Sequence, residues 1–474
     1  MVDSVKSRKL NPFWLGPALL VATPTWCQQP SASPDPTTVP ATKPAANAGS
    51  TSDSSPMYAG DHMLTPPPVS GQSFPAVSVS QERSNYLRAG VSFTSAYSDN
   101  AVPVNGHPES DVSNSVAPTL AIDETTSRTH LVTTYAPGFT FYQRLSSLNE
   151  ADQNASIDFT YRLSPHVTFA AHDGFQKSSN VFNQADLASA SAVSGGTQGG
   201  NFSIIAPIAD HLSNAGNLGI TYQFALNEMI GASGTFTNLH YPNQAEVPGL
   251  FDSESQGGAA FYSLRVSKVN YLGAAYQYQR LLSFPAPGAN LTQTHALLLF
   301  YTLYPTTRFS VSFFGGPQYA DSGPQFSITA STPSPASRSW NPAAGASLSW
   351  QGRLSNLAVS YLHMISGGGG LIGAVRQDNA TASISQELSK TLSAAVIGGY
   401  AQNDILATPL TSTNGHTLSG TVSVRQQFGQ HFGAQLGYTR LHQDYSGVAV
   451  LATAPNTNRE FVSVSYQFAR SLGR

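Results

Sequence analysis

After residue 84, apolar and polar residues alternate along most of the chain with a period of two. In NYLRAGVSFTSAYSD, Leu87, Ala89, Val91, Phe93 and Tyr97 share one parity, and Arg88, Ser92, Thr94 and Ser98 share the other. NASIDFTYRLS repeats the device, with Ala155, Ile157, Phe159, Tyr161 and Leu163 opposed to Asn154, Ser156, Asp158, Thr160 and Arg162. HTLSGTVSVRQQF sets Leu418, Val422, Val424 and Phe428 against Ser419, Thr421, Ser423 and Arg425. A period of two predicts strands with one oily and one wet face. Each segment runs about ten residues, the length a tilted strand needs to cross a bilayer.

The joints between segments separate a membrane barrel from a soluble sandwich. LSPHV (163–167), ALNEM (225–229), SKVNY (267–271), YPTTR (304–308), LSKTL (388–392) and FGQHF (428–432) read as tight hairpin turns. The joints between them, 98–114, 176–216, 238–256, 319–338, 402–416 and 441–458, are long and rich in Gly, Ser, Asn, Pro and Asp. Short and long joints alternate, as they do when periplasmic turns face one side and external loops the other. Counting hairpins from Tyr86 to Phe468 gives about 18 strands, with 16 the other even number that fits. The expected fold is therefore all-β, a transmembrane antiparallel up-and-down β-barrel. In lipid every backbone N–H and C=O must find a partner within the protein, so the last strand must pair with the first. Val462, Val464, Tyr466 and Phe468 form the oily face expected to close it.

Composition agrees. Only 10% of residues are charged and the net charge is -3, so no basic stripe exists to neutralise nucleic-acid phosphates. After the first 30 residues no apolar run reaches the roughly 18 residues of a spanning helix. The N-terminus carries Lys6, Arg8 and Lys9 ahead of an apolar stretch, Phe13 to Ala22, which reads as a secretory signal peptide over 1–27. Cys27 invites a lipid-anchor reading, but Trp26 stands where such signals have a small residue. Residues 28–82, rich in Pro, Ser, Thr and Ala, read as a disordered periplasmic leader, either a spacer or a docking segment. Residues 83–474 are assigned to the barrel, destined for the bacterial outer membrane.

Function must then come from lumen and loops. The wet parity is mostly Ser, Thr, Gly, Ala, Gln and Asn, which suits a hydrated passage. Its charges are Arg88, Arg162, Arg265, Arg308 and Arg425 against Asp158 and Glu387. Fixed charges set pore selectivity, so arginine excess predicts a weak anion preference; pairing among these charges would instead stiffen the wall. Aromatics at strand ends, Phe139, Phe141, Tyr142, Tyr276, Tyr278, Phe300, Tyr301 and Tyr304, are expected in interfacial girdles. Asp173 and His363 fall on the lipid parity and fit poorly unless a bulge or a place above the hydrocarbon edge accommodates them. GGGG at 367–370 reads as a flexible loop tip, since no helix follows to make a phosphate cradle.

Catalytic chemistry finds little support. There is no HxH, HExxH, CxxC or G-x-S-x-G. His172 and Asp173, being strand neighbours, point to opposite faces. No enzyme, metal or cofactor is expected; a barrel lipase or protease with scattered catalytic residues is the lesser alternative.

SFTSAYSDN, YAPGFTFYQRLSSLNEADQ (135–153), RLSPHVT and the closing strand together resemble an uncharacterised family of bacterial outer-membrane β-barrel porins, over about residues 84 to 468. The ending in Tyr466 and Phe468 is similar to the C-terminal signature of such barrels, except that ARSLGR follows. The resemblance implies the barrel assembly machinery and outer-membrane lipid as partners, with a homo-oligomer possible. It also implies two functional readings, a porin-like passive channel for small hydrophilic solutes, or a non-conducting accessory in adhesion or surface-polysaccharide export. The longest loop, Gln176 to Gly216, carries FSIIAPIA, whose Phe202, Ile204, Ile205 and Ile208 are costly in water. They are expected either to fold inward, like the constriction loop of general porins, or to order a surface flap.

Overall fold

The computed structural model describes residues 85–472, apart from the segments 103–107, 179–209, 245–246, 286–287, 307, 327–332, 334, 407–413 and 447–455. The strands are β1 Tyr86–Val102, β2 Glu109–Thr125, β3 Thr129–Tyr135, β4 Gly138–Tyr142, β5 Glu150–Ser164, β6 Val167–Ser178 and β7 His211–Ala225. Next come β8 Glu228–His240, β9 Ser253–Arg265, β10 Asn270–Ser283, β11 Asn290–Thr306, β12 Phe309–Ser322 and β13 Ser337–Gln351. The last are β14 Ser355–Gly367, β15 Ala374–Glu387, β16 Leu392–Ile405, β17 Asn414–Phe428, β18 Phe432–Tyr445 and β19 Thr457–Ser471.

Apart from β3 and β4, each strand pairs antiparallel with its sequence neighbours, and β19 pairs with β1, closing the sheet. Both β3 and β4 pair with β2 on one side and β5 on the other. They are two parts of one strand, interrupted where Pro137 has no N–H to give. Nineteen segments therefore make an 18-stranded barrel. Closure leaves no wall edge at the chain ends: Tyr466 faces Val91 and Phe468 faces Ala89.

One parity of every strand forms an outer apolar belt. It includes Val91 and Phe93 on β1, Leu218, Ile220 and Tyr222 on β7, Leu297 and Leu299 on β11, and Val462, Val464, Tyr466 and Phe468 on β19, all exposed. So much exposed apolar surface, continuous around a closed sheet, is suited to lipid rather than water. Tyr276 and Tyr301 lie in the outer face as the girdle reading expects, and so do Phe139 and Phe141. Phe300, Tyr142 and Tyr304 do not. They lie on the inward parity, where Phe300 is fully buried and Tyr304 packs edge-on against Tyr271 at 5.7 Å.

The two awkward outward polar residues have partners. His363 Nδ1 lies 2.7 Å from Asp378 Oδ1, which also accepts from the Tyr361 hydroxyl at 2.6 Å. Asp173 accepts from Asn214 Nδ2 at 3.3 Å, beside Gly216 on the neighbouring strand. Local hydrogen bonds, rather than bulges, accommodate both.

Candidate functional site

The barrel interior differs from end to end and from side to side. At the long-loop end the inward side chains of most strands are covered, β13 with its partly exposed Ser339 and Asn341 being an exception. Ser98 on β1, Asp111 on β2, Thr140 on β4, Ser213 on β7, Gln279 on β10, Gln377 on β15, Asn403 on β16 and Thr457 on β19 are examples of covered residues. At the short-turn end the wall divides. From β7 to β14 the inward face is packed, with Met229, Phe261, Tyr271, Leu298, Phe300 and Phe314 forming one apolar cluster. From β15 through β19 to β6 it is polar and open to water; the Arg88 side chain is 46% exposed and that of Asp158 51%.

The expectation of a uniformly hydrated inner face is therefore corrected. β11 reads HALLLFYTLY, apolar on both parities, because its inward face meets packed protein while its outward face belongs to the exposed apolar belt. The apolar half closes upon itself because β14 leans inward and comes within 8 Å of β9, β10 and β12.

At the long-loop end a plug crosses the mouth. The β14–β15 connection, GGGLIG at 368–373, turns into the barrel, so GGGG is buried rather than an exposed loop tip. Gly370 adopts φ 103°, a backbone state that glycine reaches without strain. Its carbonyl accepts the Phe251 N–H at 2.8 Å, and the Gly373 N–H donates to Ser283 Oγ at 2.9 Å. Leu371 is fully buried with Tyr241, Val247 and Leu250 from the β8–β9 connection, Val375, and Tyr445 from β18. The Asn403 amide donates to the Tyr445 hydroxyl at 2.5 Å. Burial pushes the Tyr241 phenol well above its ordinary range, and Asp252 adds to the effect.

The anticipated lumen residues fall in three groups. Arg88, Asp158, Arg162 and Arg425 lie on the inward parity of the polar half. Arg88 approaches Asp123 at 4.0 Å, and Asp123 also meets His130 at 3.3 Å. Asp158 lies 2.6 Å from His172 Nδ1. Arg265 instead clamps the β7–β8 turn, with Nε and Nη2 donating to Asn227 Oδ1 at 3.0 and 2.7 Å. Arg308 belongs to the β11–β12 turn, where its carbonyl accepts from the Gln351 N–H, and Glu387 is the exposed last residue of β15. Phe202, Ile204, Ile205 and Ile208 lie outside the described residues. Asp123 and His130 are marked in the sequence by inward parity alone, and His172 only as the neighbour of Asp173; register shows that His130 meets Asp123 and His172 meets Asp158. Among the described residues no group of three or more His, Cys, Asp or Glu is arranged to hold a metal ion.

No family model matches the chain, and no curated protein matches it. Among solved structures it is similar to the ferric citrate transporter FecA in its unliganded form, with TM-score 0.40, 10% identity, and coverage of 80% of this chain and 64% of FecA. The FrpB iron transporter from Neisseria meningitidis gives 0.40, 9%, 78% and 64%, and Pseudomonas aeruginosa OpdQ gives 0.39, 10%, 82% and 99%. The chain thus spans less than two thirds of the first two proteins and nearly all of OpdQ. Strand register, closure and the outer belt define the chain as a closed, 18-stranded antiparallel β-barrel whose outer face suits lipid.

Proposed function

We propose that this barrel is a gated conduit for small hydrophilic solutes in the bacterial outer membrane. The observation that carries the reading is the half-polar interior: an exposed vestibule at the short-turn end, lined by β15–β19 and β1–β6, lies beneath a packed mouth. Short turns face the periplasm in such barrels, so the vestibule opens toward the periplasm and the plug toward the outside. Arg162 and Arg425 stand in the vestibule wall near the turns and bias it toward anions, while the Arg88–Asp123 pair keeps that bias weak.

The plug is carried by two connections, GGGLIG and the β8–β9 segment, docked on Val375 and Tyr445, so undocking them leaves the strand ladder intact, which suits a gate more than a permanent seal. A second reading, a non-conducting accessory barrel, is favoured by the same covered mouth. Swelling of proteoliposomes in small sugars and in salts of organic anions separates the two. The conduit reading expects swelling that increases when Leu371→Ser loosens the plug; no swelling with either protein supports the accessory.

A further inference from the structure

The wall has a seam that a hydrophilic conduit does not require. The β13–β14 ladder runs from Gln351 opposite Asn356 only as far as Ala344 opposite His363. Above that rung, Ser337–Ala343 pair with β12 alone, and Pro342 faces Pro317 across that ladder. Continuing the β13–β14 register would set Pro342 against Ile365, and a proline has no N–H to offer there. The β14 strand leaves the wall at this point. Gln318 of β12, fully buried, supplies the missing partners: its side-chain oxygen accepts the Ile365 N–H at 2.9 Å and its amide donates to the Ile365 carbonyl at 3.4 Å. Ile365 itself packs inside the barrel with Leu281, Ala320 and Ala374.

The seam opens at the level of lipid. On β13 the outward residues from Trp350 up to Trp340 include Leu348, Ala346 and Ala344, a belt with an aromatic at each end, and Pro342 lies just beneath Trp340. Immediately behind the seam, Ala343 and Met364 belong to the apolar cluster of Phe261, Leu298, Phe300 and Phe314. Apolar side chains do nothing to pass a hydrophilic solute, and methionine adapts its shape to irregular apolar guests. Backbone left without a strand partner at membrane depth is tolerated only where protein or a cavity covers it.

We propose that the β13–β14 seam is a lateral portal through which an alkyl-chain amphiphile of the outer leaflet reaches the apolar lining behind it. Gln318 is the clasp: its two hydrogen bonds to Ile365 hold the seam shut, and their release lets β14 move away from β12. An alkyl chain is the fitting occupant because Ala343, Met364, Phe314, Leu298 and Phe300 behind the seam offer it carbon and sulfur surface, while Gln318 and the outward His363–Asp378 pair at the lip suit a polar head.

The test is photo-crosslinking of the full chain in phospholipid vesicles containing a diazirine-bearing palmitic acid, with labelled residues read by mass spectrometry. Label is expected on inward residues, Ala343, Met364 and Phe314, as well as on the outward belt. Label confined to outward residues such as Leu348 and Trp350 means ordinary membrane contact and overturns the proposal. Met364→Trp, which sets a bulky ring behind the seam, should abolish inward labelling and leave outward labelling intact. Should that variant fail to fold, Gln318→Leu serves instead: release of the clasp raises inward labelling, and an unchanged pattern contradicts the portal. Swelling assays report on the hydrophilic conduit separately, so either reading can fail alone.

Discussion

Phe300 of β11 lies over Gly273, its directly opposite partner on β10, with the ring occupying the space that a β-carbon on Gly273 would take. Phe261 over Gly231, Phe314 over Gly345, Phe461 over Gly437 and Tyr445 over Gly415 repeat the relationship, each pair directly opposed in register. An aromatic ring covering a cross-strand glycine fixes register and fills the inner wall.

A methyl group added beneath such a ring should cost stability. In Gly345→Ala the new carbon would fall 2.2 Å from the Phe314 ring, whereas in Gly420→Ala it meets nothing within 4 Å. Overpacking of this kind costs about 1–3 kcal/mol. Urea unfolding from lipid vesicles should show a lowered midpoint for the first variant and little change for the second; equal midpoints would contradict the packing described.

The two faces of β19 should respond oppositely to charge. Val464→Arg places a cation in the lipid belt and should cost about 2–4 kcal/mol if near the midplane. Ser463→Arg points the same group inward and should be nearly neutral. Folding yield into vesicles, read by the heat-dependent gel shift of intact barrels, distinguishes them. Equal losses would mean that the parity is misassigned.

Alkali should loosen the plug through Tyr241. Its phenol is held neutral by burial, so its folded pKa exceeds the unfolded value. The resulting stability is fully present below the unfolded value of about 10 and is lost as pH rises toward the folded one. Protease nicking of the β8–β9 connection should therefore increase in strong alkali for the native chain. Tyr241→Phe, which has no proton to lose, should resist that change; if both variants respond alike, Tyr241 is not the titrating group.

Much of this architecture was legible in the sequence, because a barrel wall obeys a period of two and its turns obey a length rule. Val462, Val464, Tyr466 and Phe468 declare their face by alternation alone. The interior was less legible. Periodicity says which residues point inward, not what they meet there, so Phe300 and Tyr304 pass for girdle aromatics. GGGG passes for a loop tip because a run of glycines looks the same whether solvent or Tyr241 lies beside it. The Gly–aromatic pairs and the Gln318 clasp depend on cross-strand register, which joins residues 24 to 47 positions apart and leaves no local trace.

The central claim is that the mouth is closed by a movable plug over a hydrated vestibule. Planar-bilayer conductance under a salt gradient tests it most directly, comparing the native chain with Leu371→Ser. The account predicts small or infrequent openings for the native protein, larger and more persistent ones for the variant, and a reversal potential showing mild anion preference in both. A native chain that conducts as freely as the variant, or a variant that folds fully and carries no current, would contradict it.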